Sequence, residues 1–77
     1  MQVTITPDTP GAALLQAVRQ QYEAQIATAK ATIQVYATTP VAIGEHPQHC
    51  EEIDKMLEAI ANASDKLDML AKHFKYQ

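Results

Sequence analysis

The chain gathers its helix-breaking residues into two short segments, and that distribution constrains the fold more than any other feature. Pro7, Pro10 and Gly11 stand near the N-terminus, and Pro40, Gly44 and Pro47 near the middle. Proline in a helix interior removes a backbone donor and clashes with the preceding turn, so the segments between these clusters are the ones free to form long helices. In the first, Leu15, Val18, Tyr22, Ile26, Ala29, Ile33 and Tyr36 recur at steps of three and four, one face of an α-helix. In the second, Ile53, Met56, Ile60, Ala63, Leu67, Leu70 and Phe74 alternate steps of three and four without exception, a heptad seam. Leu57 and Ala71 widen that seam beyond a two-stranded coiled coil, toward a bundle.

These patterns predict an all-α fold: an antiparallel two-helix hairpin with a short extended N-terminal arm, as a single domain over residues 1–77. The arm covers 1–9, helix 1 covers 10–37, the connector 38–46 and helix 2 covers 47–75. At the first boundary, Asp8 or Thr9 can cap and Pro10 fits a first helical turn. At the connector, Pro40 disfavours helical backbone at Thr39, and Pro47 suits the first position of helix 2. Glu51–Lys55 and Asp68–Lys72 are spaced as supporting ion pairs with the acid first. The polar run Asn62–Asp65 is the one place where helix 2 could bend, with Ser64 as an internal cap.

Seventy-seven residues make a small core. Only four residues are aromatic (Tyr22, Tyr36, Phe74, Tyr76), and alanine, which buries little area, supplies much of the apolar content. Ala13, Ala17, Ala24, Ala27 and Ala31 lie beside the main stripe of helix 1 as a smooth second face. A hairpin needs one stripe per helix, so a second face and a thin core together predict a homo-oligomeric bundle.

A formal charge of −3 argues against duplex nucleic acid as a partner. It leaves room for a small anion, which one helix N-terminus and one or two cations can hold. Cys50 is the lone cysteine and cannot form an internal disulfide. The N-terminus lacks the basic and apolar regions of a signal peptide, and no run approaches the ~20 apolar residues of a membrane span. The expectation is a soluble cytoplasmic protein with no membrane association.

The connector TTPVAIGEHPQHC concentrates the remaining special residues. Val41 and Ile43 read as apolar plugs over the end of the hairpin. Gly44 can approach a ligand closely, and the helix start at Pro47 leaves N–H groups available to an anion. Four chemistries are open to these residues. A metal would draw on His46, His49 and Cys50 with Glu45 or Glu51, but the spacing matches no common zinc pattern. Cys50 sits in a helix first turn beside a histidine, a setting that activates thiols, yet no oxyanion hole accompanies it. Glu45 and His46, as an acid/base pair, are adjacent in a loop and do not converge on one atom. Binding of a small anion or nucleotide fits best: Gly44, Glu45, His46 and His49 at the helix start, with Tyr22 stacking on a base and Lys30 neutralising charge. Tyr36 and Arg19 are alternates for those two duties. The expectation is therefore no enzyme, no metal and no cofactor.

The segment TTPVAIGEHPQHCEEIDKMLEAIANASDKLDML resembles small helical proteins of tailed bacteriophages. Their first helix ends in the form Asn-Pro-Val-Gly-Ile-Gly-Glu-His-Pro, followed by a long acidic-then-basic helix. Pro40, Val41, Ile43, Gly44, Glu45, His46 and Pro47 match that form, while Thr39 replaces the usual Asn and Ala42 the usual Gly. The likeness covers about half the chain, to Leu70. It implies a phage protein acting in the host cytoplasm. Small helical phage proteins include virion accessories, inhibitors of host enzymes, and oligomeric sponges that sequester the cyclic nucleotides of bacterial defence. The expectation is a non-enzymatic sponge, with a virion-associated or scaffolding module that binds other proteins as the alternative.

Overall fold

A computed structural model of the chain describes residues 2–38 and 47–76. In chain order it holds strand β1 (Val3–Ile5), helix α1 (Ala12–Thr38), helix α2 (Pro47–His73) and strand β2 (Phe74–Tyr76). Each helix has 27 residues, about 40 Å at 1.5 Å per residue. The ring of Tyr36 meets that of His49, and Tyr22 meets Lys66, so the helices run antiparallel. The hairpin is as the periodicity predicts, and α2 passes through Asn62–Asp65 unbroken and starts at Pro47.

The fold departs from the sequence expectation at both ends of the chain. Helix 1 begins at Ala12 rather than residue 10, because two successive β-turns occupy the preceding residues. In the first, the Thr9 N–H donates to the Thr6 carbonyl at 2.9 Å, with Pro7 at the position where its fixed φ fits. The Thr6 N–H donates in return to the Thr9 hydroxyl at 2.9 Å. In the second, the Ala12 N–H donates to the Thr9 carbonyl at 3.0 Å. Its central pair is Pro10–Gly11, and Gly11 has φ +84°, the type II arrangement that requires a left-handed residue there. Pro10 is thus a turn residue and not the first residue of a helix.

Helix 2 ends at His73 rather than residue 75, and the fold is not purely α. Phe74–Tyr76 pairs in parallel with Val3–Ile5, with Val3 opposite Phe74, Thr4 opposite Lys75 and Ile5 opposite Tyr76. The two turns reverse the arm against α1, which lays it alongside the continuation of α2. Arm backbone that would otherwise lack partners finds them there, and Val, Ile, Phe and Tyr suit the strand. Two short strands are marginal alone. This pair is anchored by Ile5, which is only 4% exposed.

Every residue of the two predicted stripes, from Leu15 to Tyr36 and from Ile53 to Phe74, is partly or fully buried. The fully buried helical members are both alanines, Ala29 and Ala63. Overall dimensions of 55 × 20 × 14 Å explain why. The short axis is little more than one helix diameter, so a long side chain reaches solvent on one side or the other. The lateral face stays open: Ala13, Ala17, Ala24, Ala27 and Ala31 are all exposed, and Leu14, Val35 and Leu57 are more than half exposed, at 72%, 59% and 53%.

The charge pairing differs in detail. Lys55 bridges to Glu52 at 3.4 Å, one residue closer than the predicted partner Glu51. The i,i+3 spacing serves as well as i,i+4 on a helix surface.

Candidate functional site

Gly44, Glu45 and His46 lie outside the described residues, as do the plugs Val41 and Ile43. What the structure describes is the frame that holds them. Helix α1 delivers the chain from Thr38, whose hydroxyl donates back to the Gln34 carbonyl at 2.7 Å and so remains within its own last turn. Helix α2 resumes at Pro47. Between these ends, the Tyr36 and His49 rings meet at 4.9 Å between centroids with planes tilted by 43°, a favourable aromatic geometry. Both residues are half-buried. This contact ties the last turn of α1 to the first turn of α2, and it places an imidazole at a helix N-terminus, where the aligned peptide dipoles favour an anion.

His49 is therefore a described member of the predicted set that sits beside the connector, and Tyr36 is its partner. The sequence contained both residues but gave no signal that they pair across the two helices. Cys50 is an exposed free thiol. It follows His49 by one residue, and adjacent helical side chains diverge by about 100°, so the two do not converge on one atom. Among the described residues, no group of three His, Cys, Asp or Glu side chains is arranged to hold a metal ion.

Tyr22 and Lys30 stand elsewhere. Lys30 is exposed on α1, six residues before Tyr36 and so about 9 Å away along the axis. Tyr22 lies about 21 Å along α1 from Tyr36, half-buried, with the Lys66 ammonium 5.3 Å from its ring centroid. That separation is within cation–π range. Tyr22 and Lys66 line an open groove of about 430 Å³ together with Val18, Met69, Leu70, His73 and Phe74. The structure does not bring Tyr22 to the connector of its own chain. Lys66 carried no signal in the sequence, and His73 only that of a basic residue near the end of helix 2, where the helix dipole favours a cation.

Among the described residues, no helix is long and apolar enough to cross a membrane. No protein-family model, no curated protein and no solved structure matches the chain.

Proposed function

We propose that this hairpin assembles with copies of itself into a helical bundle and works, without catalysis, as a viral binding protein in the host cytoplasm. In this reading it sequesters an anionic nucleotide signal at the connector end of α2. The observation that carries the ligand half is the Tyr36–His49 contact. It brings a π surface and a titratable ring to the start of a 27-residue helix, beside a connector containing Gly44, Glu45 and His46. A nucleotide needs both a base platform and a phosphate cradle, and these are the two chemistries supplied. Lys30 is about 1.7 helical turns from Tyr36 and adds positive charge near that end of α1.

The open lateral face supports the assembly half. Leu14, Ala17, Ala24, Ala31 and Val35 follow one another at steps of three, seven, seven and four, a second stripe on α1 exposed along its whole length. A monomer whose buried core among the described residues is Ile5, Ala29 and Ala63 gains apolar burial by covering that stripe with another copy.

Calorimetric titration with cyclic di- and trinucleotides tests the ligand half. Heat of binding is expected, weakened about tenfold or more by His46→Ala, the cost of one charge-assisted contact. Absence of heat across the panel removes the sponge reading. The same exposed stripe favours a second reading, a virion or scaffold module that docks partner helices; that reading gains if ligand titrations are blank and infected-cell pull-downs recover one virion protein.

A further inference from the structure

The two turns that reverse the arm also border an open cavity, and it lies at the opposite end of α1 from the connector. Its volume is about 350 Å³, between the arm and the first two turns of α1. Ile5, Pro7, Ala12 and Ala13 form its apolar walls, and Thr6, Gln16 and Arg19 supply its polar groups. Arg19 is the chain's single arginine and, among the described residues, the one charged residue lining the cavity.

We propose that this cavity is a separate ligand site for a small phosphorylated molecule of mononucleotide or sugar-phosphate size, with Arg19 as its counter-charge. The claim does not depend on the connector reading. Several observations converge on a phosphate. The guanidinium presents five N–H donors in a planar fork that matches phosphate oxygens in pairs, and it can serve more than one acceptor at once. Two of the walls, Ala12 and Ala13, are the first residues of α1. Their end of the helix carries the positive pole of its dipole, and the first turn of α1 holds no acidic residue to occupy it. Gln16 and Thr6 add neutral hydrogen-bonding groups suited to hydroxyls. The apolar walls give a sugar or base a surface to pack on, with Ile5 fixed in place by its burial. The volume lies at the small end of ligand pockets, which run from about 300 to 1,000 Å³. That suits a single nucleotide.

The test uses the full-length ¹⁵N-labelled protein, titrated with adenosine 5′-monophosphate and, separately, with uncharged adenosine. The monophosphate is expected to shift the amides of Thr6, Ala12, Ala13 and Gln16 saturably, and adenosine is not. Arg19→Gln should weaken the effect about tenfold or more. Because Arg19 is half-buried and its loss can disturb folding, Ala13→Leu provides the deciding variant. Ala13 is exposed and off the α1–α2 stripe, so leucine there fills the cavity while leaving the hairpin packed, and it should abolish the shifts. Absence of saturable shifts at these four amides, equal response to adenosine, or unchanged binding in Ala13→Leu each overturns the proposal. Shifts confined to residues 36–38 and 49–50 would do the same while leaving the connector reading standing.

Discussion

Gly11 tests the new turn chemistry most directly. Its φ of +84° is left-handed, and a Cβ built on it meets nothing within 4 Å. Gly11→Ala therefore adds no clash and isolates the backbone term. A left-handed L-residue costs about 1–2 kcal/mol, which outweighs what the stiffer unfolded chain returns. For a domain of this size each kcal/mol moves Tm by about 4–8 °C, so a fall of several degrees, at most about 16 °C, is expected by circular dichroism. Protein concentration must be held constant, since self-association makes Tm depend on it. Gly11→Asn, a residue that tolerates the left-handed region, should lose less. The strain can also be relieved by releasing the arm alone. In that case Tm holds while the β1–β2 amides lose their exchange protection and α1–α2 keeps its own. If neither Tm nor arm protection changes, residue 11 is not left-handed and the paired-turn account fails. A loss beyond about 4 kcal/mol would demand a steric contact that the open space excludes.

Ala63 is 1% exposed at the helix interface, so Ala63→Leu should overpack it and cost about 1–3 kcal/mol in urea denaturation; a neutral result would mean the helices are not in close contact there. Leu14→Lys with Val35→Lys, at positions 72% and 59% exposed, should leave helicity unchanged and lower the mass seen in light scattering, and an unchanged mass would remove this stripe from the assembly interface. Tyr36→Ala should cost about 0.5–1.5 kcal/mol beyond its lost burial by detaching His49, read as faster amide exchange at residues 49–51; unchanged exchange would show that the ring contact does not hold the start of α2.

What the sequence made legible is tied to how each feature is encoded. The stripes Leu15–Tyr36 and Ile53–Phe74 repeat many times, so noise at one position does not obscure the period, and all of their members are at least partly buried. Pro47 begins α2 because a missing N–H is harmless only there. The ends were misread because each depends on a single choice between two local rules. Phe74 continues the heptad perfectly, yet it also suits a strand, and the partner that decides lies more than 70 residues away at Val3. Pro10–Gly11 likewise satisfies both a helix start and a type II turn; Thr6 and Thr9 decide by closing the preceding turn. Lys55 chose Glu52 over Glu51 because two acids stand within reach. Of the candidate site, His49 was legible through its place beside Pro47, whereas its contact with Tyr36 depends on helix phase across the connector, which no single segment encodes.

The separation of Tyr22 from the connector turns the nucleotide reading into a statement about subunits. Along one α1 helix Tyr22 and Tyr36 are about 21 Å apart, more than a compact cyclic nucleotide can bridge while it also touches His49. If Tyr22 takes part in binding at the connector, it must come from a neighbouring copy. Subunit mixing distinguishes that arrangement from a site built within one chain. Tyr22→Leu and His46→Ala proteins are prepared separately, each defective in every site, then co-refolded in equal amounts and titrated with a cyclic dinucleotide. For sites that take one residue from each of two copies, random assembly leaves both positions intact in about a quarter of them. High-affinity stoichiometry should then return to that fraction. For sites completed within one chain, every chain in the mixture still carries a defect, and no high-affinity binding returns. Recovery near a quarter joins the assembly and the ligand in one structure. No recovery, with each single variant still folded and defective, confines the connector site to its own hairpin and leaves the groove at Tyr22, Lys66 and His73 to some other purpose.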